Sequence, residues 1–188
     1  TVRRKDLHRA IAEAPSSSPG PDGLPLTVWK QLGPLAEEVL WEAMQVLINP
    51  AKAYLLAEDW PMFNESLLIL LPKLPAGQVG TPAETRPINI TNGEHRILAN
   101  AIRYKAEAEL GKWVTEMQQG FLPGRSLLRN VVEVSQSMQE VGLNQQSGLA
   151  IFYDFQAAFP SVCHEFLLAV LEAVGVPTGF MQFVRHLY

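Results

Sequence analysis

The chain has 188 residues, 47% of them hydrophobic and 18% charged, a balance that suits one sizeable core or two small lobes and argues against disorder over most of its length. Its formal net charge of −4 at pH 7 excludes nucleic-acid binding by a uniformly basic surface, because such binding draws its affinity from lysines and arginines that displace condensed counterions. A single cysteine, Cys163, excludes an internal disulfide and a cysteine-based zinc site, and His8, His95, His164 and His186 show no ligand-like spacing.

Along the chain, Thr1 to Ala14 has helical spacing in Leu7, Ala10, Ile11 and Ala14, and it gives way at Pro15 to Gly23 to a Pro-Ser-Gly-Asp linker with tight turns. A helix is predicted from Leu26 to Leu32. After Gly33-Pro34 a longer amphipathic one follows from Leu35 to Ile48, with Leu40, Met44 and Leu47 on one face. Trp60-Pro61 closes this helical region. Glu65 to Leu71 reads as a strand ended by Pro72, with Lys73 just beyond. A loop with Gly77, Gly80 and Pro82 separates it from a second extended piece, Arg86 to Thr91, which makes a hairpin with basic residues on both arms.

Asn92-Gly93 marks a turn before a helix from Glu94 to Trp113, in which Ile97, Ala101 and Ala108 recur at helical intervals. Gln118 to Ser126 (Gln-Gln-Gly-Phe-Leu-Pro-Gly-Arg-Ser) is a loop, since its glycines and proline interrupt a helix. Ser126 caps the next helix, which runs to Val141 and ends at Gly142. Leu149 to Asp154 is predicted as a buried strand, and Cys163 to Val174 and Thr178 to Tyr188 as two helices divided by Gly175 and Pro177. No apolar run is long enough to span a membrane, no signal pattern is present, and the default reading is a soluble protein without internal repeats.

Two features carry chemistry. The apolar run from Leu149 to Tyr153 delivers one carboxylate, Asp154, at its end, and a carboxylate at the tip of a buried strand stays charged only where a cation or a hydrogen-bond network meets it. Between Lys73 and Arg129, eight basic residues against five acidic ones leave a local charge of +3. On charge alone this is as well explained by solvated helix faces as by a phosphate-binding patch. By the same reasoning, two exposed cations near a turn are ordinarily just solvated, and a large aromatic such as Phe159 after a buried strand is ordinarily core.

Taken in order, Ser18 to Pro25 (Ser-Pro-Gly-Pro-Asp-Gly-Leu-Pro), Leu71-Pro72-Lys73 with Arg86-Pro87-Ile88, the Gln118 to Ser126 loop, and Asp154 with Phe159 resemble the reverse transcriptases of non-LTR (LINE-type) retrotransposons. The resemblance runs from Ser18 to Tyr188 and implies an α+β fold made of the fingers and partial palm of a right-hand polymerase, mostly helical with a fingers hairpin and one palm strand. The organisation it implies is an N-terminal helix and linker in residues 1–17, fingers with an interleaved palm helix in 18–147, and a partial palm in 148–188. It further implies that Asp154 holds magnesium with help from the carbonyl of Phe155, that Lys73 and Arg86 approach the triphosphate of the incoming nucleotide, and that Phe159 lies under its sugar. Gln118, Gly120, Phe121, Gly124 and Arg125 would border the template. The chain departs from many relatives at Ala157 and Pro160, where a lysine and a second aspartate are common, and at Arg96, where lysine is common.

The second catalytic carboxylate pair of that family is missing. After Phe159 the acidic residues are Glu165 and Glu172, and no paired aspartates occur anywhere. Two-metal phosphoryl transfer needs several carboxylates converging on ions about 3.5–4 Å apart, which one aspartate cannot supply. Two readings follow. In the first the chain is a truncated RNA-directed DNA polymerase domain, idle alone, whose partners are an RNA template and a DNA primer and whose compartment is nuclear or cytoplasmic. In the second it is a retroelement-derived structural subunit whose partners are the proteins of a larger assembly, which then sets its location. In both, the strand ending at Asp154 lacks its neighbours, so the chain is expected to be ordered mainly in contact with a partner or with more of its own polypeptide.

Overall fold

The computed structural model describes residues 2–52, 55, 63–73, 75, 78 and 80–188. Among these lie seven α-helices and one two-stranded antiparallel sheet: α1 (Arg4–Ala12), α2 (Leu26–Leu32), α3 (Pro34–Leu47), β1 (Ser66–Pro72), β2 (Thr85–Thr91), α4 (Gly93–Leu110), α5 (Leu127–Leu143), α6 (His164–Ala173) and α7 (Thr178–Leu187). The composition is that of an α+β protein. The expected turn at Trp60-Pro61 and the loop glycine Gly77 lie outside the described residues, and no helix among those described is long and apolar enough to cross a membrane.

The chain divides into two compact units, one of Thr1–Lys105 with His164–Tyr188 and one of Ala106–Cys163. The first holds the core. In α1 the buried residues Leu7, Ala10 and Ile11 recur at helical spacing and continue into Ala14; in α3 they are Ala36, Leu40, Met44 and Leu47; in α4 they are Ile97, Leu98, Ala101 and Ile102. Val2, Leu26 of α2, Phe63 and Phe183 of α7 complete the same cluster. Helix α3 is its centre, packing against α1, α2 and α7. Pro34 occupies its first turn, where a missing N–H costs nothing.

The strands pair in one register, Leu67 with Ile90, Ile69 with Ile88 and Leu71 with Arg86 on one face, Leu68 with Asn89 and Leu70 with Pro87 on the other. Lys73 donates its backbone N–H to the carbonyl of Glu84 at 2.9 Å and extends the ladder by one bond.

In the second unit Ser126 caps α5, its hydroxyl accepting from the N–H of Leu128 at 3.3 Å. The helix runs past Gly142 to Leu143, one turn of backbone bonding carrying it through the expected stop. Leu149 to Asp154 departs from expectation altogether. It forms no strand and lies exposed, with Leu149 at 86% and Tyr153 at 85% of full accessibility. The reason is the lack of a ladder partner, because a strand's backbone groups need a neighbour and the only sheet among the described residues is β1–β2 in the first unit.

Candidate functional site

The expected site residues fall into three groups along the chain, on the β1–β2 hairpin, in the Gln118–Ser126 loop and from Asp154 to Phe159. On the hairpin, Arg86 stands opposite Leu71 near the end of β1, and Lys73 follows just beyond that end, both residues exposed. The short helix at Pro82–Glu84 stiffens the approach, with Thr81 donating its N–H and hydroxyl to the Glu84 carboxylate at 2.8 and 3.2 Å. Those bonds hold the Glu84 carboxyl below its usual range.

The second group is the loop from Gln118 to Ser126. Gln119 and Gly120 are buried, and the Gln118 side-chain amide donates to the carbonyl of Gly120 at 3.1 Å. Phe121, by contrast, is 91% exposed and sits at φ +63°, a left-handed conformation that a bulky side chain seldom adopts. Gly124 takes φ +77° at no steric cost. The Arg125 guanidinium turns inward. Its Nη1 donates to the carbonyls of Gln118, at 2.7 Å, and Thr115, and its Nη2 to those of Val114, at 3.0 Å, and Gly111, at 3.4 Å.

Asp154, Phe155 and Phe159 form the third group, all exposed. Phe159 is held on a turn in which Ser161 donates its N–H to Ala157 at 3.1 Å and Val162 donates to Phe159 at 3.3 Å. Ala157 sits at φ +51°. The fit to magnesium is poor. Among the described residues no three His, Cys, Asp or Glu side chains gather into a set that could hold an ion. One exposed carboxylate beside a backbone carbonyl leaves most of an octahedral shell to water.

A fourth arrangement went unread in the sequence, where Asn92-Gly93 looked like a simple turn. The linker between α1 and α2 is docked onto the start of α4. Arg96 donates to the Ser17 hydroxyl at 2.9 Å and to the Ser18 carbonyl at 2.8 Å, and the Asn92 side-chain oxygen accepts the N–H of Asp22 at 3.2 Å. A Cβ on Gly20 would lie 2.5 Å from that same oxygen, so no other residue fits there. Glu94 is buried beside this contact with its Oε2 unpaired, as are Nε of Arg96 and Nε1 of Trp29. Burial, reinforced by the nearby Asp22 charge, raises the Glu94 carboxyl above its ordinary value, while burial and then Arg96 push His95 down. The readable signal was Arg96 itself, a cation three residues into a helix, facing a Ser-Pro-Gly-Pro-Asp-Gly loop of carbonyls.

No family model matches the chain. It is 26% identical over 191 residues to the transposon TX1 uncharacterized 149 kDa protein of Xenopus laevis, an alignment covering 97% of this chain and 14% of that protein. It is 25% identical over 190 residues to the retrovirus-related Pol polyprotein from type-2 retrotransposable element R2DM of Drosophila melanogaster, covering all of this chain (100%) and 16% of that protein. The chain thus spans less than a fifth of the length of either relative. The curated homologues of this chain are proteins of non-LTR retrotransposons.

Proposed function

We propose that this chain is the fingers and first palm segment of an RNA-directed DNA polymerase of the retrotransposon type. The observation that carries the reading is the order of its motifs, from the Ser18–Pro25 turn to Asp154 and Phe159, within a chain that aligns over 97% and 100% of its length with the two retrotransposon proteins. In this reading Lys73 and Arg86 meet the nucleotide triphosphate, the arginine through a bidentate fork and the lysine as a compact charge, and their exposure at the same end of the hairpin supports that role. Phe159 lies under the sugar, and the Gln118–Ser126 loop borders the template. Asp154 supplies one carboxylate of the metal site, and polymerisation needs others that these 188 residues do not contain.

Magnesium-dependent extension of a DNA primer on an RNA template tests this. The chain alone is expected to incorporate nothing. Joined to a segment bearing paired aspartates it is expected to extend the primer, with Asp154→Asn lowering the rate by at least about 100-fold, on the order of 3 kcal/mol of barrier. Incorporation indifferent to Asp154→Asn would remove this residue from the mechanism and the reading with it.

One observation favours a second reading, a packing subunit of a larger assembly. The apolar side chains of Leu149, Ile151, Phe152, Tyr153 and Phe155 are all exposed, a surface that soluble monomers rarely leave open. A stable monomer with a two-state melt at micromolar concentration would count against both an incomplete palm and a subunit awaiting partners.

A further inference from the structure

We infer that Arg125 is an internal clamp that fixes the Gln118–Ser126 loop to the end of α4, a positioning residue with no hand left for phosphate. The count of donors decides it. The two Nη groups of a guanidinium carry four hydrogens, and all four point at backbone carbonyls, of Gly111, Val114, Thr115 and Gln118, leaving the single Nε–H. A bidentate grip on a phosphate needs two parallel donors, so binding one would mean breaking at least one of these bonds.

The carbonyls concerned lie at and just beyond the end of α4. Helix α4 ends at Leu110, and the chain continues in tight turns, Gly111 bonding back to Glu107, Lys112 to Glu109 and both Trp113 and Val114 to Leu110. The Gly111 carbonyl, next to the last residue of α4, lies at the negative end of the helix dipole, where a cation is favoured, and the Thr115 carbonyl takes the N–H of Gln118 at 3.2 Å besides the guanidinium. Arg125 reaches these carbonyls from a position brought round by the turn at Gly124 and by its own N–H bond to Leu122 at 3.2 Å. The surroundings agree. In Ala106–Cys163, three basic residues stand against six acidic ones, and the other two cations are engaged, Lys112 with Glu109 at 2.7 Å and Arg129 with Glu133 at 2.8 Å. What the clamp positions is the exposed ring of Phe121, held at φ +63° by the loop's fixed ends.

The clamp is independent of the polymerase reading, and two measurements separate them. In thermal melts, Arg125→Ala is expected to lower Tm by several degrees, millimolar guanidinium ion is expected to restore part of the loss, and Arg125→Lys is expected to recover little, because one ammonium cannot span four carbonyls. An unchanged Tm in Arg125→Ala, or full stability in Arg125→Lys, overturns the clamp. In binding of a single-stranded RNA oligonucleotide across a salt series, Arg125→Ala is expected to weaken affinity without changing the slope of log K against log salt. A slope shallower by about 0.7, the signature of one lost phosphate contact, overturns it. Failure of the unaltered chain to bind RNA sinks the template assignment of the loop and leaves the clamp to the melts.

Discussion

At the scale of single residues, the contact between the linker and the start of α4 concentrates the chemistry of the first unit. Glu94 is a carboxyl that folding makes harder to ionise, chiefly through burial. Its contribution is therefore complete below the ordinary value of 4.5 and declines as pH rises through the elevated value of the folded state. His95 acts in the opposite sense. Burial holds it below its ordinary 6.5, so its contribution is complete above that value and fades as pH falls through the lowered one. Glu94→Gln removes the first slope and leaves the second. The Tm advantage of Glu94→Gln over the unaltered chain is expected to grow as pH rises from 4.5, and a difference that stays flat from pH 4 to 8 would show that Glu94 ionises in the fold as freely as in the unfolded chain. None of this was legible in Asn92-Gly93-Glu94, because a residue's burial depends on what the linker does seventy positions earlier, and sequence spacing reports only local neighbours.

At the scale of elements, spacing served well where a helix has a buried face and less well where it has none. The bounds of α2 and the buried stripe of α3 follow from apolar positions and the Gly33-Pro34 break, and Ser126 caps α5 as its hydroxyl predicts. Ser126→Ala is expected to cost about 1 kcal/mol of stability in denaturant melts, the usual worth of a cap. Leu149–Asp154 misled because an apolar run encodes a preference for extended backbone and says nothing about whether a neighbouring strand is there to receive it. Helix α5 poses the same question. Leu127, Val131, Val134 and Met138 recur at i, i+4, i+7 and i+11 and are all exposed. Val131→Ser is expected to leave the melting curve within about 0.5 kcal/mol of the original while reducing concentration-dependent association in sedimentation velocity. A loss of more than about 2 kcal/mol would mean that the stripe is already covered.

At the scale of the whole molecule, apolar burial is unevenly distributed. Every buried hydrophobic residue among those described belongs to Thr1–Lys105 or His164–Tyr188, whereas in Ala106–Cys163 the buried positions are Gln119 and Gly120. Local stability follows buried apolar contact, so amides of α5 are expected to exchange with solvent at least about 100-fold faster than those of α3, read by hydrogen-exchange mass spectrometry. Equal protection would place a core where none is described. The sequence's composition, 47% hydrophobic, made a core certain and left its location open, since the exposed apolar residues of the second unit are as numerous in the count as buried ones.

The close approach of Gly20 to Asn92 restricts what position 20 can hold. With the Oδ1, backbone N and Cα of Asn92 at 2.5, 2.6 and 2.7 Å from where a Cβ would stand, any side chain at position 20 must displace the start of α4 itself as well as the amide that receives the N–H of Asp22. A smaller residue at 92 abandons the bond to Asp22 without opening room, because the backbone of position 92 meets that Cβ as closely as its side chain does, so glycine is required at position 20 whatever residue stands at 92.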